Sequence, residues 1–143
     1  MKINRSASAA WAGGLKDGKG SITTESGALS AYPYGFAARF EGKKGTNPEE
    51  LLGAAHAGCF TMALSLILGE AKFTAEQMDT SAKVTLEQVD SGFAITAVHL
   101  SLKAKIPGID QATFEDLTGK AKAGCPLSKV LKANITLNAS LVS

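Results

Sequence analysis

The stretch from Asn47 to Gly69 constrains the fold more than any other part of this chain. Asn47 stands where a helix N-cap belongs, Pro48 takes the first helical position, and Glu50 completes a capping-box pattern. The residues that follow are apolar on nearly every side of the helical wheel. Leu51, Leu52, Ala55, Cys59, Met62, Ala63 and Leu66 fill one part, and Ala54, Ala57, Phe60, Leu64 and Ile67 the rest. A surface helix would carry a polar stripe, so this pattern predicts a central, buried helix. Gly53, Ala54, Ala55, Ala57 and Gly58 allow another backbone to come close. So small a domain with so apolar a helix argues for a second copy of the chain, a homodimer.

The segments around this helix read mostly as strands. Short alternating stretches at 4–12 and 19–26, with turns at Ala12-Gly13-Gly14 and Asp17-Gly18, predict a β-hairpin. Residues 36–41 alternate and predict a short strand that carries Arg39. A loop with Gly42 and Gly45 leads into the helix. Thr74 begins a segment of about one helical turn. Residues 80–89 and 93–105 alternate, with a hairpin turn at Asp90-Ser91-Gly92. Residues 109–123 predict an amphipathic helix through Phe114, Leu117 and Ala121. Pro126 opens a short helix, and residues 134–142 form a last strand. The expected fold is α+β, with antiparallel strands packed around a long buried central helix, in one domain spanning 1–143.

The bulk properties narrow the function classes. A net charge of +2 with scattered lysines gives no footing for nucleic acid. No apolar run approaches the roughly 20 residues that span a bilayer, so no membrane association is expected. Met1-Lys2-Ile3-Asn4-Arg5 lacks an apolar segment behind its charges, so no signal peptide is read and the expected location is cytoplasmic. There a permanent disulfide is disfavoured, and the two cysteines are either reactive or simply buried.

Cys125 precedes Pro126 and fits the N-cap of the short helix, where the helix dipole lowers a thiol's pKa and Lys129 adds to the effect. A buried cap residue explains the same placement. Cys59 lies deep in its helix, far from the dipole's positive end, and a core role is the ordinary one there. To act as a nucleophile it needs a cation nearby. His56, at i−3, and Arg39 are the candidates. An inward-facing Arg39 requires a carboxylate partner. Of the two acids at the helix start, Glu50 lies about 180° round the wheel from Cys59, while Glu49 is about 80° off. Ten residues of helix rise about 15 Å, so Glu49 does not touch Cys59, but an arginine held between them would serve both. Solvent exposure of Arg39 and simple dipole-favoured acids are the plainer accounts of these residues. Cys59, Cys125, His56 and His99 match no common zinc spacing, and no metal or cofactor is expected.

Two segments together resemble the signature of the OsmC/Ohr family, the osmotically inducible and organic hydroperoxide resistance proteins. The first is Thr46-Asn47-Pro48-Glu49-Glu50-Leu51-Leu52 with Ala54-Ala55-His56-Ala57-Gly58-Cys59-Phe60. The second is Ala123-Gly124-Cys125-Pro126-Leu127-Ser128. The resemblance covers essentially the whole chain and lies nearer the OsmC branch than the Ohr branch. It implies an intertwined homodimer and a peroxidase that reduces organic hydroperoxides with two cysteines. By the resemblance, Cys59 is the peroxidatic residue, Cys125 the resolving residue, and Glu49 the motif glutamate. Ohr-type members place their arginine after an N-terminal Gly-Gly pair. Here Gly13-Gly14 is followed by Leu15-Lys16, and the OsmC-type pattern gives the role to Arg39. Dipole reasoning makes Cys125 the more acidic thiol, whereas the resemblance assigns first attack to Cys59.

The implied cycle is attack by a Cys59 thiolate, a sulfenic acid, a Cys59–Cys125 disulfide, and reopening by a dithiol. The resemblance points to a small dithiol or a protein-bound lipoyl group as reductant. Phe60, Met62, Phe36, Tyr32 and Tyr34 would favour an alkyl or lipid-derived peroxide, and Tyr32-Pro33-Tyr34 is read as a loop. A redox sensor or binding protein without turnover is the alternative use of the same pair, and inert buried cysteines in a structural stress protein a third.

Overall fold

A β-hairpin opens the chain: β1 (Ala7–Ala12) pairs antiparallel with β2 (Lys19–Thr24), with Trp11 opposite Gly20. β3 (Tyr32–Tyr34) joins the other edge of β2. Gly20 has a packing reason to lack a side chain. A Cβ there would stand 2.5 Å from the Tyr34 ring and 2.6 Å from the Trp11 ring. Those two rings meet edge to face over the strand, 5.5 Å apart. The computed structural model describes Met1–Ser143 and divides into two compact units, Met1–Leu51 and Leu52–Ser143.

Two sequence expectations in the first unit are corrected. Tyr32-Pro33-Tyr34 is a strand rather than a loop. Residues Phe36–Phe40 form a short helix, α1, rather than a strand. Two alanines favour the helix, Arg39 N–H and Glu41 N–H close i→i−4 bonds onto Gly35 and Ala37, and Phe36 meets Phe40 at 4.9 Å. The alternation over 36–41 that predicts a strand covers only six residues, too short for periodicity to separate the two. The unit buries no large apolar side chain, and every residue of β1 is exposed.

The long helix, α2 (Pro48–Glu70), starts as expected. Glu50 N–H donates to Asn47 Oδ1 at 2.8 Å, Asn47 Nδ2 donates back to Glu50 Oε1 at 3.1 Å, and Thr46 Oγ1 donates to Glu50 Oε2. By length and composition alone α2 is apolar enough to cross a bilayer, which corrects the expectation that no segment is. His56, Thr61 and Ser65 break up the run without lowering its mean hydropathy enough.

In the second unit β4 (Gln77–Val89) and β5 (Gly92–Lys105) form a long antiparallel hairpin with a register shift at Thr85/Leu86. Gly92, at φ +122, closes the turn after Asp90-Ser91. The segment after Thr74 holds no helix and runs directly into β4. α3 (Gln111–Gly124) begins where Asp110 Oδ1 accepts from Thr113 N–H at 2.7 Å, and it buries Phe114, Leu117, Thr118 and Ala121. α4 (Pro126–Val130) follows, and β6 (Asn134–Val142) returns parallel to β5, as a helical crossover permits. The sheet order is β4-β5-β6.

One core joins these elements. Val98, Leu100, Leu102 and Ala104 alternate inward from β5 and meet Phe60, Leu64 and Leu68 of α2 and Phe114 and Ala121 of α3. The helix that reads as buried all round buries one stripe in a single chain. Its opposite side leaves Met62 76% and Leu66 66% exposed.

Candidate active site

Two clusters hold the residues singled out by sequence, one in each unit. The sulfur cluster is in the second. α2 turns His56, Phe60, Leu64 and Leu68 toward the core at intervals of four. Cys59, one turn after His56, sits half-buried beside that stripe. Cys125 is the hinge between two helices: its N–H donates to Ala121 O at the end of α3, and its Sγ caps α4 by accepting from Ser128 N–H at 3.4 Å. The expected N-cap role is therefore present, and Cys125 is fully buried. Both cysteines are free thiols.

The Cys59 thiol stands near enough to the Cys125 sulfur and to the Leu127 backbone N–H for both to act on its ionisation. Burial pushes its pKa above the ordinary thiol value. The Leu127 N–H opposes this by favouring the thiolate, while the neighbouring Cys125 thiol pushes it higher still. Within the second unit, nothing that acts on Cys59 is a cation.

His56 is not that cation. It is wholly buried, and burial lowers its pKa below the usual 6.5, so it is neutral at physiological pH. Its Nε2 lies 2.8 Å from Ser128 Oγ, and Ser128 Oγ lies 3.1 Å from Cys125 Sγ. Its Nδ1 has no partner. In the sequence Ser128 stands out only as part of the Ala123–Ser128 motif. The available signal was its place three residues after a cysteine N-cap, where a hydroxyl is carried back toward the capping sulfur. Lys129 is exposed.

The second cluster lies in the first unit and pairs Arg39 with Glu49. Arg39 Nε donates to both carboxylate oxygens at 3.2 Å, and Nη2 donates to Oε1 at 2.5 Å. The Glu49 side chain is 11% exposed and that of Arg39 35%, so the acid is nearly enclosed while part of the guanidinium stays open. Nη1 makes no hydrogen bond. The guanidinium also stands 5.3 Å from the Phe40 ring. The carboxylate partner demanded of an inward arginine is present, and it is Glu49; Glu50 is occupied in capping.

Comparison with known proteins identifies the family. The model of the OsmC-like protein family matches residues 41–140. The chain belongs to the OsmC-like family. Among curated OsmC-like relatives, "Peroxiredoxin OsmC" of Escherichia coli (strain K12) is 59% identical over all 143 residues, covering 100% of both chains. "Organic hydroperoxide resistance protein" of Xanthomonas axonopodis pv. citri (strain 306) is 32% identical over 101 residues, 70% of this chain and 69% of that one. The crystal structure of an organic hydroperoxide resistance protein OsmC from Legionella pneumophila superposes with a TM-score of 0.69 at 27% identity, covering 99% and 100%. The family resemblance and the α+β architecture expected from sequence are thus both borne out.

Proposed function

We propose that this OsmC-like protein is a peroxidase that reduces organic hydroperoxides to alcohols at the expense of a dithiol. The names of its relatives support the reaction class. The observation that carries the reading is a free Cys59 close enough to a free, buried Cys125 for that thiol to act on its ionisation. Two thiols so placed are poised to close a disulfide, and a cycle through that disulfide turns over.

The chemistry runs in three steps. The Cys59 thiolate attacks the distal oxygen of ROOH; the O–O bond breaks, sulfur is oxidised to Cys59–SOH, and RO⁻ leaves to take a proton as ROH. Cys125–SH then attacks the Cys59 sulfur and expels water, which leaves the disulfide. A dithiol, either a small molecule or a protein-bound lipoyl group, reopens the bond by exchange and departs oxidised. No resident cofactor enters.

Cys59 needs a cation to ionise, since burial raises its pKa. In this reading Arg39 supplies it in the assembled protein, steered by Glu49, with Nη1 left over for the thiolate and then for the leaving alkoxide. Assembly means a homodimer. A first unit without a large buried apolar side chain and an α2 face with Met62 and Leu66 exposed both call for cover that one chain lacks. A cycle that returns to free thiols at each turnover belongs in a reducing compartment, the cytoplasm.

Stopped-flow consumption of cumene hydroperoxide by the reduced protein, with excess dithiol, tests the proposal. Many turnovers, with a Cys59–Cys125 disulfide recovered when the dithiol runs out, are expected. One oxidation per cysteine pair under every dithiol supplied would make the protein a sensor, and no oxidation would make both cysteines structural.

A further inference from the structure

The sulfur cluster contains one buried titratable group that the cycle above leaves unused, His56. We propose that Ser128 and His56 form a proton relay that activates Cys125 as the resolving thiol. The inference rests on the two-cysteine reading and deepens it at its second step.

The geometry is a continuous chain of heteroatoms within the second unit. Cys125 Sγ is 3.1 Å from Ser128 Oγ, and Ser128 Oγ is 2.8 Å from His56 Nε2. Its parts come from opposite ends of the sequence, the histidine from α2 and the serine from α4, 72 residues apart. Ser128 also turns its backbone N–H on the same sulfur at 3.4 Å, so two donors of one residue converge on Cys125 when it is a thiolate.

Resolution needs such help. The attacking species is the thiolate, and Cys125 is completely buried, away from water that would carry off its proton. As Cys125 bonds to the Cys59 sulfur, its thiol proton passes to Ser128 Oγ. The serine's own proton passes to His56 Nε2. The hydroxyl of the sulfenic acid leaves Cys59 and recovers that proton as water. No net charge is created, and no further oxidant or reductant enters. When a dithiol later frees Cys125, one of the dithiol's own protons reaches it over the same chain.

His56 suits the task. It is neutral at physiological pH and so ready to accept. Its Nδ1 has no partner, so no second hydrogen bond fixes its tautomer. A buried polar atom without a partner is destabilising, and a histidine kept only to hold Ser128 in place would carry that cost with no gain in chemistry. Ser128 touches the reacting sulfur; His56 is a positioning residue that acts through it.

The test separates the two sulfur steps. Reduced wild type, Ser128→Ala, His56→Gln and Ser128→Thr each receive one equivalent of cumene hydroperoxide. Samples are quenched at timed intervals with dimedone, and mass spectrometry counts the Cys59 sulfenic adduct against the disulfide. Ser128→Ala and His56→Gln are expected to form the sulfenic acid but hold it about 10²-fold longer before the disulfide appears. Ser128→Thr, which keeps the hydroxyl, is expected to restore wild-type resolution. Equal sulfenic lifetimes in wild type and Ser128→Ala would overturn the relay, as would an equal slowing of sulfenic acid formation and resolution. Absence of any disulfide in wild type would remove the two-cysteine reading and the relay together.

Discussion

Arg39 holds Glu49 side-on, with Nε shared between both carboxylate oxygens at 3.2 Å and Nη2 on Oε1. This grip uses the inner edge of the guanidinium and leaves Nη1 without a hydrogen bond. Replacing Arg39 by Met keeps the stem and deletes the donors. Peroxide attack is expected to slow by about 10²–10³-fold, the usual loss for one donor aimed at developing negative charge. Glu49→Gln keeps the arginine but loosens its aim, with an expected loss of up to about 10²-fold. Stopped-flow kinetics with cumene hydroperoxide measures both, and an Arg39→Met rate equal to wild type would remove the arginine from the reaction.

The same variant changes the pH dependence of Cys59. Without Arg39, burial and Cys125 hold the thiol above its ordinary value and only the Leu127 N–H works the other way. Below that raised pKa the thiolate fraction climbs about tenfold per pH unit. The rate of Cys59 alkylation in Arg39→Met is therefore expected to rise steadily from pH 7 to pH 9. In wild type the rise is expected to level off at lower pH, because the guanidinium favours the thiolate. Superimposable profiles would show that Arg39 does not act on this sulfur.

Much of this was legible in the sequence because it rests on local signals. The Asn47-Pro48-Glu50 cap, the alternation of Val98, Leu100 and Leu102, and the Cys125-Pro126 helix start each follow from a few neighbouring residues. What was missed depends on distant ones. The six residues 36–41 carry too little periodicity to tell a strand from α1, whose geometry is settled by the Phe36–Phe40 contact and the bonds to Gly35 and Ala37. His56 was weighed as a cation for Cys59. Its actual partner, Ser128, lies 72 residues away, and its burial, which keeps it neutral, is a product of the fold.

That burial carries a stability consequence. His56 has a folded-state pKa below the usual 6.5, so the folded protein disfavours its protonation. A group of this kind contributes stability that is present above its unfolded pKa and is lost as pH falls toward the folded value. Asp110, also lowered, chiefly by the Thr113 N–H, acts in the same direction but below its ordinary 3.8. Between pH 7 and pH 5 the loss of stability in urea denaturation is therefore expected to come from His56. His56→Gln should be less stable than wild type at pH 7 but should show a flatter dependence over that interval. An equally steep dependence in the variant would assign the loss to other groups.

Cys125→Ser offers a sharper chemical prediction. The hydroxyl keeps a helix cap in place of the sulfur, so a stability change of only about 1 kcal/mol is expected. Cys59 is then expected to react once with peroxide and stop as the sulfenic acid, because no second sulfur stands within reach to condense with it. Dimedone labelling of Cys59 should approach one per chain, and dithiol-driven turnover should fall steeply.

The exposed side of α2 sets the last prediction. Met62 and Leu66 lie one turn apart on the same helix face, 76% and 66% exposed, and Ala55, Gly58 and Ser65 leave that face low enough for another helix to approach. Burial of a side chain such as Met or Leu is worth about 1.5–3 kcal/mol, so two of them in each of two chains form a substantial part of a dimer's free energy. Met62→Asp would place a charge in that interface without touching Phe60, Leu64 or Leu68, which form the core on the other side. Sedimentation velocity is expected to show a dimer for wild type and a shift toward monomer for Met62→Asp, with peroxide reduction falling in step with the dimer fraction. A monomeric wild type with full activity would mean that each chain completes its own site, and that the apolar face of α2 is covered by something other than a second copy.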